Sequence, residues 1–329
     1  MNVVIVGCGL IGYKRAQSIK NARLIACADI DIKKAESLSK KYGNIPFFEN
    51  FYQLFKEVEH DIVIICTPHN QLPAIIKASI VAGKHVLVEK PAGRFSSELE
   101  DLVSLVKQNK CKVRVGFNHR YHRAFRKARE IVNSGQLGDL YFIRARYGHG
   151  GRIGYNNEWR ANPDISGGGE LIDQGSHLID LSRMFLGDFN KAEGYARNYF
   201  WDMPVDDNAF LTLTTQTGQT AFLQASCTEW KNLFSFEIYG KTGKLDINGL
   251  GGSYGVERLA FYKMLPEMGP PETYIWEYPM VDDSWDVEFQ EFLADIANDK
   301  DPSPGLTDAI ENLKIINKIY KNSGYDYNP

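Results

Sequence analysis

Asp173 and His177 stand four residues apart in Gly167-Gly168-Gly169-Glu170-Leu171-Ile172-Asp173-Gln174-Gly175-Ser176-His177-Leu178-Ile179-Asp180. A helix there puts both on one face, with Leu171, Ile172, Leu178 and Ile179 as apolar neighbours. An imidazole with an ordinary pKa near ~6.5 suits a base, and a carboxylate one turn away can orient hydroxyls and hold a useful tautomer. Lys90, in Glu89-Lys90-Pro91 at the end of a strand-like run, adds an ammonium that would favour a developing alkoxide. Oxidation of a secondary alcohol by a nicotinamide needs a base, a positive group of this kind and an aimed carbinol C–H. Whether Lys90 or His177 takes the proton stays open at this level. An i,i+4 pair can also be purely structural. Asp173, His177 and Asp180 could hold a metal, although nothing else in the chain completes a typical ligand set. Gly175 within the helix costs about 1 kcal/mol relative to alanine, so something is expected to approach its backbone closely.

The cofactor side rests on the first twelve residues. The apolar run Val3-Val4-Ile5-Val6 reads as a buried strand and leads into Gly7-Cys8-Gly9-Leu10-Ile11-Gly12, a G-x-G-x-x-G turn. In a βαβ unit such a turn brings backbone close to a pyrophosphate at a helix N-terminus, which makes Gly7, Gly9, Leu10, Ile11 and Gly12 cofactor-binding candidates. A second strand-like run ends in Asp29, twenty residues after Gly9, where an acid grips ribose hydroxyls. Asp29 would repel a 2′-phosphate and no arginine follows it, so NAD is expected over NADP; Lys33 and Lys34 are the feature that keeps NADP in view.

Strand and helix signals alternate through the first third, as an α/β doubly wound sheet requires. Strands are expected at 23–28, 45–48, 61–66, 85–88 and 112–115, with helices at 31–41, 50–55, 70–82 and 96–108. Ligands of such sheets lie beyond the carboxyl ends of the strands, so Thr67, Pro68, Glu89 and Lys90 are expected on the same rim as the glycine turn, and Asn118 follows the last strand. A Rossmann domain over 1–119 is therefore expected, followed by a second domain over 120–329. The second domain opens with a helix at 121–133, then strands at 140–147, 192–199, 209–215, 220–227 and 234–239. Short turns such as Thr217-Gly218 imply an antiparallel sheet, and helices at 284–297 and 307–321 end the chain. The segment 261–279 is expected to cover the sheet or meet another subunit.

The connection 148–169 is long for a compact domain and therefore functional or mobile. It carries His149, Arg152, Tyr155, Trp159 and Arg160. Arg152 and Tyr155 are candidate substrate contacts, and Trp159 with Arg160 a candidate wall and anion clamp of the cofactor site, the alternative being a buried tryptophan with a structural arginine. His119 and His122 read as a polar helix start at the domain junction.

A formal net charge of −3 with 24% charged residues gives no footprint for nucleic acid or an anionic membrane. No uncharged run approaches a membrane span, and the apolar N-terminus lacks a basic leader. Five cysteines, odd in number and scattered through apolar runs, read as small buried hydrophobes in a reducing cytoplasm.

The glycine turn, Thr67-Pro68, Glu89-Lys90-Pro91, Gly116-Phe117-Asn118, Trp159-Arg160 and the Gly-Gly-Gly-x-Leu-x-Asp-x-Gly-x-His segment occur in the order typical of one family. The chain resembles the glucose-fructose oxidoreductase / inositol dehydrogenase / rhizopine catabolism (Gfo/Idh/MocA) family along nearly its whole length, including 305–323. The resemblance implies an N-terminal Rossmann NAD domain and a C-terminal α+β domain with a large, open, mostly antiparallel sheet through which homo-dimers or homo-tetramers form. It also implies that Lys90 is the active-site lysine and that Asp173 and His177 are the catalytic pair. Lys90, Arg152, Tyr155, Asp173 and His177 would then meet a sugar, cyclic polyol or sugar derivative. One departure is Leu72, where many members carry a histidine. Two rivals share the fold: a glycosidase that oxidises and re-reduces its sugar with NAD, and a non-catalytic dinucleotide- or sugar-sensing regulator.

Overall fold

The computed structural model describes residues 1–327, which form two compact units. The first comprises Met1–Phe117 and Trp285–Glu311. Its strands β1 (Asn2–Val6), β2 (Arg23–Ala28), β3 (Phe47–Phe48), β4 (Ile62–Ile65), β5 (His85–Glu89) and β6 (Val113–Gly116) make one sheet in the order β3-β2-β1-β4-β5-β6. Every pairing is parallel. The connections are α1 (Leu10–Ser18), α2 (Ile32–Lys41), α3 (Phe51–Glu57), α4 (Leu72–Val81) and α5 (Ser97–Asn109). Parallel strands covered on both faces must be apolar throughout, and all four residues of β4 are buried. The strand order reverses between β1 and β4, so the glycine turn after β1 and Thr67-Pro68 after β4 flank the switch point. Leu72, the family departure, is the first residue of α4 and is buried.

Residues 285–311, expected in the second domain, instead belong to the first unit. Phe289 and Phe292 complete the apolar cluster of Val3, Ile5, Ile62, Ile64 and Leu87. That return depends on side-chain fit, which local periodicity does not encode.

The second unit comprises Asn118–Ser284 and residues from 312 on. Its elements are α6 (Arg123–Asn133), β7 (Leu140–Gly148), the short α7 (Pro163–Ser166), α8 (Ser176–Leu186), β8 (Phe189–Arg197), β9 (Asn208–Thr215), β10 (Thr220–Ser226), β11 (Leu233–Gly240), β12 (Gly243–Asn248), β13 (Glu257–Lys263) and β14 (Glu272–Tyr278). Helices α9 (Ser284–Ala297) and α10 (Leu306–Asn322) close the chain, α10 contributing to both units.

The eight-stranded sheet runs β14-β13-β12-β11-β7-β10-β9-β8 and is antiparallel except for the β7–β10 pair. On β7 the period-2 alternation buries Ile143, Ala145 and Tyr147 and exposes Arg144 and Arg146. Strand β12 has no counterpart among the expected strands. The segment 261–279, expected to cover the sheet or meet another subunit, is not a cover but supplies part of β13 and the edge strand β14, because Thr273-Tyr274-Ile275-Trp276 is strand-forming sequence beyond a proline-rich turn. Among the described residues no helix is long and apolar enough to cross a membrane.

Candidate active site

In the first unit each glycine of the turn has its own steric reason. Gly7 has φ +98°, and a Cβ there would lie 2.6 Å from the Cys66 carbonyl. A Cβ on Gly12 would overlap the Gly7 oxygen, so α1 packs directly on the turn. Gly9 meets nothing within 4 Å, which leaves open space over its backbone. Helix α1 begins at Leu10 with no side-chain cap and no acid in its first turn, while Ile11 is the second residue of that turn. Its N–H groups are therefore available to an anion.

Asp29 completes this half. Its Oδ2 accepts from the Cys8 N–H at 2.6 Å and its Oδ1 from the Asp31 N–H at 2.9 Å. The carboxylate is thus tied to the turn and partly exposed beside it. Asp31 caps α2 through the Lys33 N–H at 3.2 Å and lies 3.6 Å from Lys34, so a lysine near Asp29 already has an acidic neighbour. An open glycine backbone, an uncapped helix start and a partly exposed carboxylate beside the turn fit a dinucleotide.

Glu89 is held by Arg15, whose Nε donates to Oε1 at 2.5 Å. Arg15 is fully buried, also pairs with Glu288, and stacks on Trp285 with Cζ 4.3 Å from the ring centroid. Burial works against the guanidinium charge, but Glu288 and Glu89 outweigh it and raise its pKa further. Lys90 follows directly and is half-buried.

In the second unit, the loop after β7 folds its side chains onto one another. Arg152 is largely exposed and forks onto Glu158 at 2.7 and 2.6 Å. Tyr155 is buried and donates its hydroxyl to Glu170 at 2.7 Å; His149 Nε2 lies 3.3 Å from the same carboxylate oxygen. The Tyr155 hydroxyl, expected as a substrate contact, is therefore turned inward. Arg160 stacks on Trp159 at 4.6 Å, and its Nε donates to Asp173 Oδ2 at 3.0 Å. The Asp173 charge raises the Arg160 pKa, against burial.

The expected continuous helix over Asp173 and His177 is broken into two kinds of turn. Residues Leu171–Gly175 form a π-helical turn and α8 starts at Ser176, so the extra residue of the wider turn separates the surroundings of the two side chains. Asp173 faces Arg160, whereas His177 is buried in the first turn of α8. The triple glycine serves packing. A Cβ on Gly168 would overlap the Tyr320 hydroxyl and ring, and one on Gly169 the Asp206 carbonyl. Asp206 accepts from the Gly169 and Leu171 N–H groups, both at 2.8 Å, and from Tyr320 Oη at 2.7 Å. The close approach expected at Gly175 comes from Leu171 and from Ala225 of β10, which a Cβ at this position would meet at 3.0 and 3.5 Å. Asp180 is buried in a bidentate pair with Arg120 at 2.7 and 2.6 Å, a structural use that competes with any metal.

His119 is the residue whose role the sequence did not reveal. Its ring stacks on His177 with centroids 3.6 Å apart and planes 17° apart. Nδ1 lies 3.2 Å from Asn118 Oδ1 and Nε2 3.2 Å from Tyr147 Oη. Asn118, expected near the cofactor, is buried and donates from Nδ2 to Ser284 Oγ at 3.1 Å. His122 pairs with Glu257 at 3.1 Å. Tyr147 is legible only as the last inward residue of an alternating strand, and the 57 residues between His119 and His177 hold no local signal of their stacking.

Residues 1–117 match the family model described as "Oxidoreductase family, NAD-binding Rossmann fold", and residues 125–246 match the "GFO/IDH/MocA C-terminal domain". The scyllo-inositol 2-dehydrogenase (NAD(+)) of Bacillus subtilis is 25% identical over 326 residues, 94% of this chain and 90% of that protein. The D-glucoside 3-dehydrogenase of Escherichia coli is 28% identical over 193 residues, but this match spans only 57% of the chain and 54% of that protein. A solved levoglucosan dehydrogenase in complex with NADH shares the fold with a TM-score of 0.87 at 20% identity, covering 98% of this chain and 97% of that one. With both halves of the chain matched in sequence order, this protein belongs to the Gfo/Idh/MocA family of NAD-binding oxidoreductases.

Proposed function

We propose that the protein is an NAD-dependent dehydrogenase that moves a hydride between nicotinamide and a secondary alcohol of a sugar, cyclic polyol or sugar derivative. The setting of His177 carries the reading: an imidazole 5% exposed, flat against a second ring, one turn after an acid clamped by Arg160. The names of its relatives, which act on inositols, a glucoside and levoglucosan, support the substrate class.

In the oxidative direction His177 accepts the hydroxyl proton as the carbinol C–H bond breaks, leaving a carbonyl. Bound NAD supplies the hydride acceptor, held through Gly7, Gly9, Leu10, Ile11, Gly12 and Asp29, with Thr67, Pro68, Glu89, Asn118, Trp159 and Arg160 as the further cofactor set. Lys90 stabilises the developing alkoxide, and Asp173 orients a neighbouring substrate hydroxyl. Arg152 reaches an anionic substituent by exchanging its partner Glu158 for it. NAD is preferred over NADP because of Asp29. The exposed sheet face that carries Arg144, Tyr195 and Phe222 forms a homo-oligomer interface.

The experiment is an absorbance screen for reduced nicotinamide with inositols, glycosides, anhydrosugars, sugar acids and nucleotide-sugars. NADH formation with one class, abolished in Lys90→Met, supports the reading and names the substrate. Sugar release without net NADH would favour the redox-cycling glycosidase. Tight NADH binding with no transfer to any class would favour the sensor.

A further inference from the structure

We propose that Phe200 and Trp230 form a second sugar subsite, which takes a further ring glycosidically joined to the one that is oxidised, so that the substrate is a disaccharide or larger glycoside. This rests on the dehydrogenase reading above and narrows its substrate class.

Three connections meet at one end of the eight-stranded sheet. Ser226, the last residue of β10, and Leu233, the first of β11, both pair opposite Gly148, so the connection 227–232 crosses over the end of β7. Tyr147, one residue earlier on β7, has its ring 6.3 Å from that of His177. Arg197, where β8 ends, is in register with Asn208, and Asn208 with Ser226, so 198–203 leaves the sheet at the same end. The third connection, 149–158, follows β7 itself. Its glycines lie against the other two: a Cβ on Gly150 would be 3.1 Å from the Trp230 Cα, and one on Gly151 2.3 Å from Trp201 Cζ2. Phe200 stands 4.7 Å from Trp230 at 83° and 5.2 Å from Trp201 at 89°. Trp201 then meets Tyr155 at 5.7 Å, over whose ring Arg152 lies at 5.6 Å. Glu158 and Arg160 continue this row from Arg152 to Asp173.

A joined pair of exposed aromatic rings marks a surface that something covers, and Phe200 is 58% and Trp230 64% exposed. Both are held still. The buried Asp207 accepts the N–H groups of Tyr199, Phe200 and Trp201 at 2.9, 2.7 and 3.1 Å, and the Trp201 indole donates to the Cys227 carbonyl at 2.9 Å. Asn208 ties the neighbouring connection by donating to Thr228 Oγ1 at 2.8 Å, and Trp230 keeps φ +57°, a left-handed backbone that bulky residues rarely adopt. Two fixed rings crossing at nearly a right angle make a corner walled by a π face. A pyranose ring carries C–H groups on its faces and hydroxyls around its rim. The partly positive C–H groups meet the negative aromatic face, while the hydroxyls bond to water and to the Arg152–Glu158 pair. The charge of the three connections suits a neutral ring: Arg152 and Lys231 stand against Glu158, Asp202 and Glu229, which leaves no surplus of positive charge for a nucleoside diphosphate.

The test labels the five tryptophans of the full-length protein with 5-fluorotryptophan and follows the 19F line of Trp230 in the presence of NADH, assigned with Trp230→Gly, which suits the left-handed φ. The probes are cellobiose, maltose, lactose, sucrose and trehalose, the matching methyl glycosides, and UDP-glucose. The expected result is a saturable shift with a disaccharide and none with its methyl glycoside. In turnover, Trp230→Gly and Phe200→Leu each lower the ratio of kcat/KM for that disaccharide over its methyl glycoside about tenfold. An unchanged ratio in both variants overturns the inference. A line moved by UDP-glucose alone, or by protein concentration without any sugar, overturns it in favour of a nucleotide or of a second copy of the chain. NADH formation from single sugars, with no disaccharide moving the line, overturns it and leaves the dehydrogenase reading standing. A disaccharide shift with no NADH from any sugar would keep the subsite and remove the dehydrogenase.

Discussion

The guanidinium of Arg15, wholly buried on α1, donates to Glu89 at 2.5 Å and pairs on its other side with Glu288, so one side chain joins the helix after the glycine turn, the strand end before Lys90, and α9. Replacing Arg15 with methionine keeps the bulk and strands a buried carboxylate at Glu288. Breaking one partner of a buried ion pair costs about 3–5 kcal/mol. Urea denaturation of Arg15→Met should show a loss of that order; an unchanged midpoint would mean that the carboxylates accommodate without their cation.

Loss of proton transfer should separate from loss of cofactor binding. Lys90→Met and His177→Ala are each expected to reduce turnover at least about a hundredfold while NADH affinity, read by fluorescence, stays nearly unchanged. Both variants losing NADH binding with the fold intact would contradict the roles assigned to them.

Asp29 makes a prediction about cofactor choice. Asp29→Asn keeps an acceptor for the Cys8 N–H but removes the charge that a 2′-phosphate meets. Binding of NADH should weaken about tenfold and the gap to NADPH should narrow by at least as much, since each tenfold is about 1.4 kcal/mol. Titration with the two reduced dinucleotides decides it, and an unaltered preference would place the discrimination elsewhere.

Asp206 gives stability a pH dependence of unusual sign. Burial raises its pKa to about 6, against the hydrogen bonds from Tyr320, Leu171 and Gly169. An unfolded aspartate titrates near ~3.9, so between those values the native state binds more protons than the unfolded one. The contribution of Asp206 is therefore fully present below about pH 4 and is lost as pH rises through about 6, a change of roughly 3 kcal/mol at most. Asp206→Asn should lower stability overall, through its imperfect match to three donors, and remove this slope from a series of denaturation curves. A slope that persists in Asp206→Asn would assign it to another group.

Much of this molecule was legible in its residues alone. The alternation of β-branched runs with helical stretches specified the parallel sheet, because strands buried on both faces have to be apolar throughout. The glycine turn specified the cofactor half, because only glycine tolerates the φ of Gly7 and the approach of α1 at Gly12. Asp173, His177 and Lys90 stand out in the sequence as candidates because few residue types can exchange a proton or carry a charge near neutrality. Tertiary structure decided what periodicity cannot carry. It returned residues 285–311 to the first unit, widened the turn at Asp173, took up the triple glycine against Tyr320 and Asp206, and laid His119 on His177. Each of these depends on atoms brought together from distant positions in the chain, where the contact is set by shape and donor–acceptor matching once the elements have packed, and a one-dimensional pattern holds no record of it.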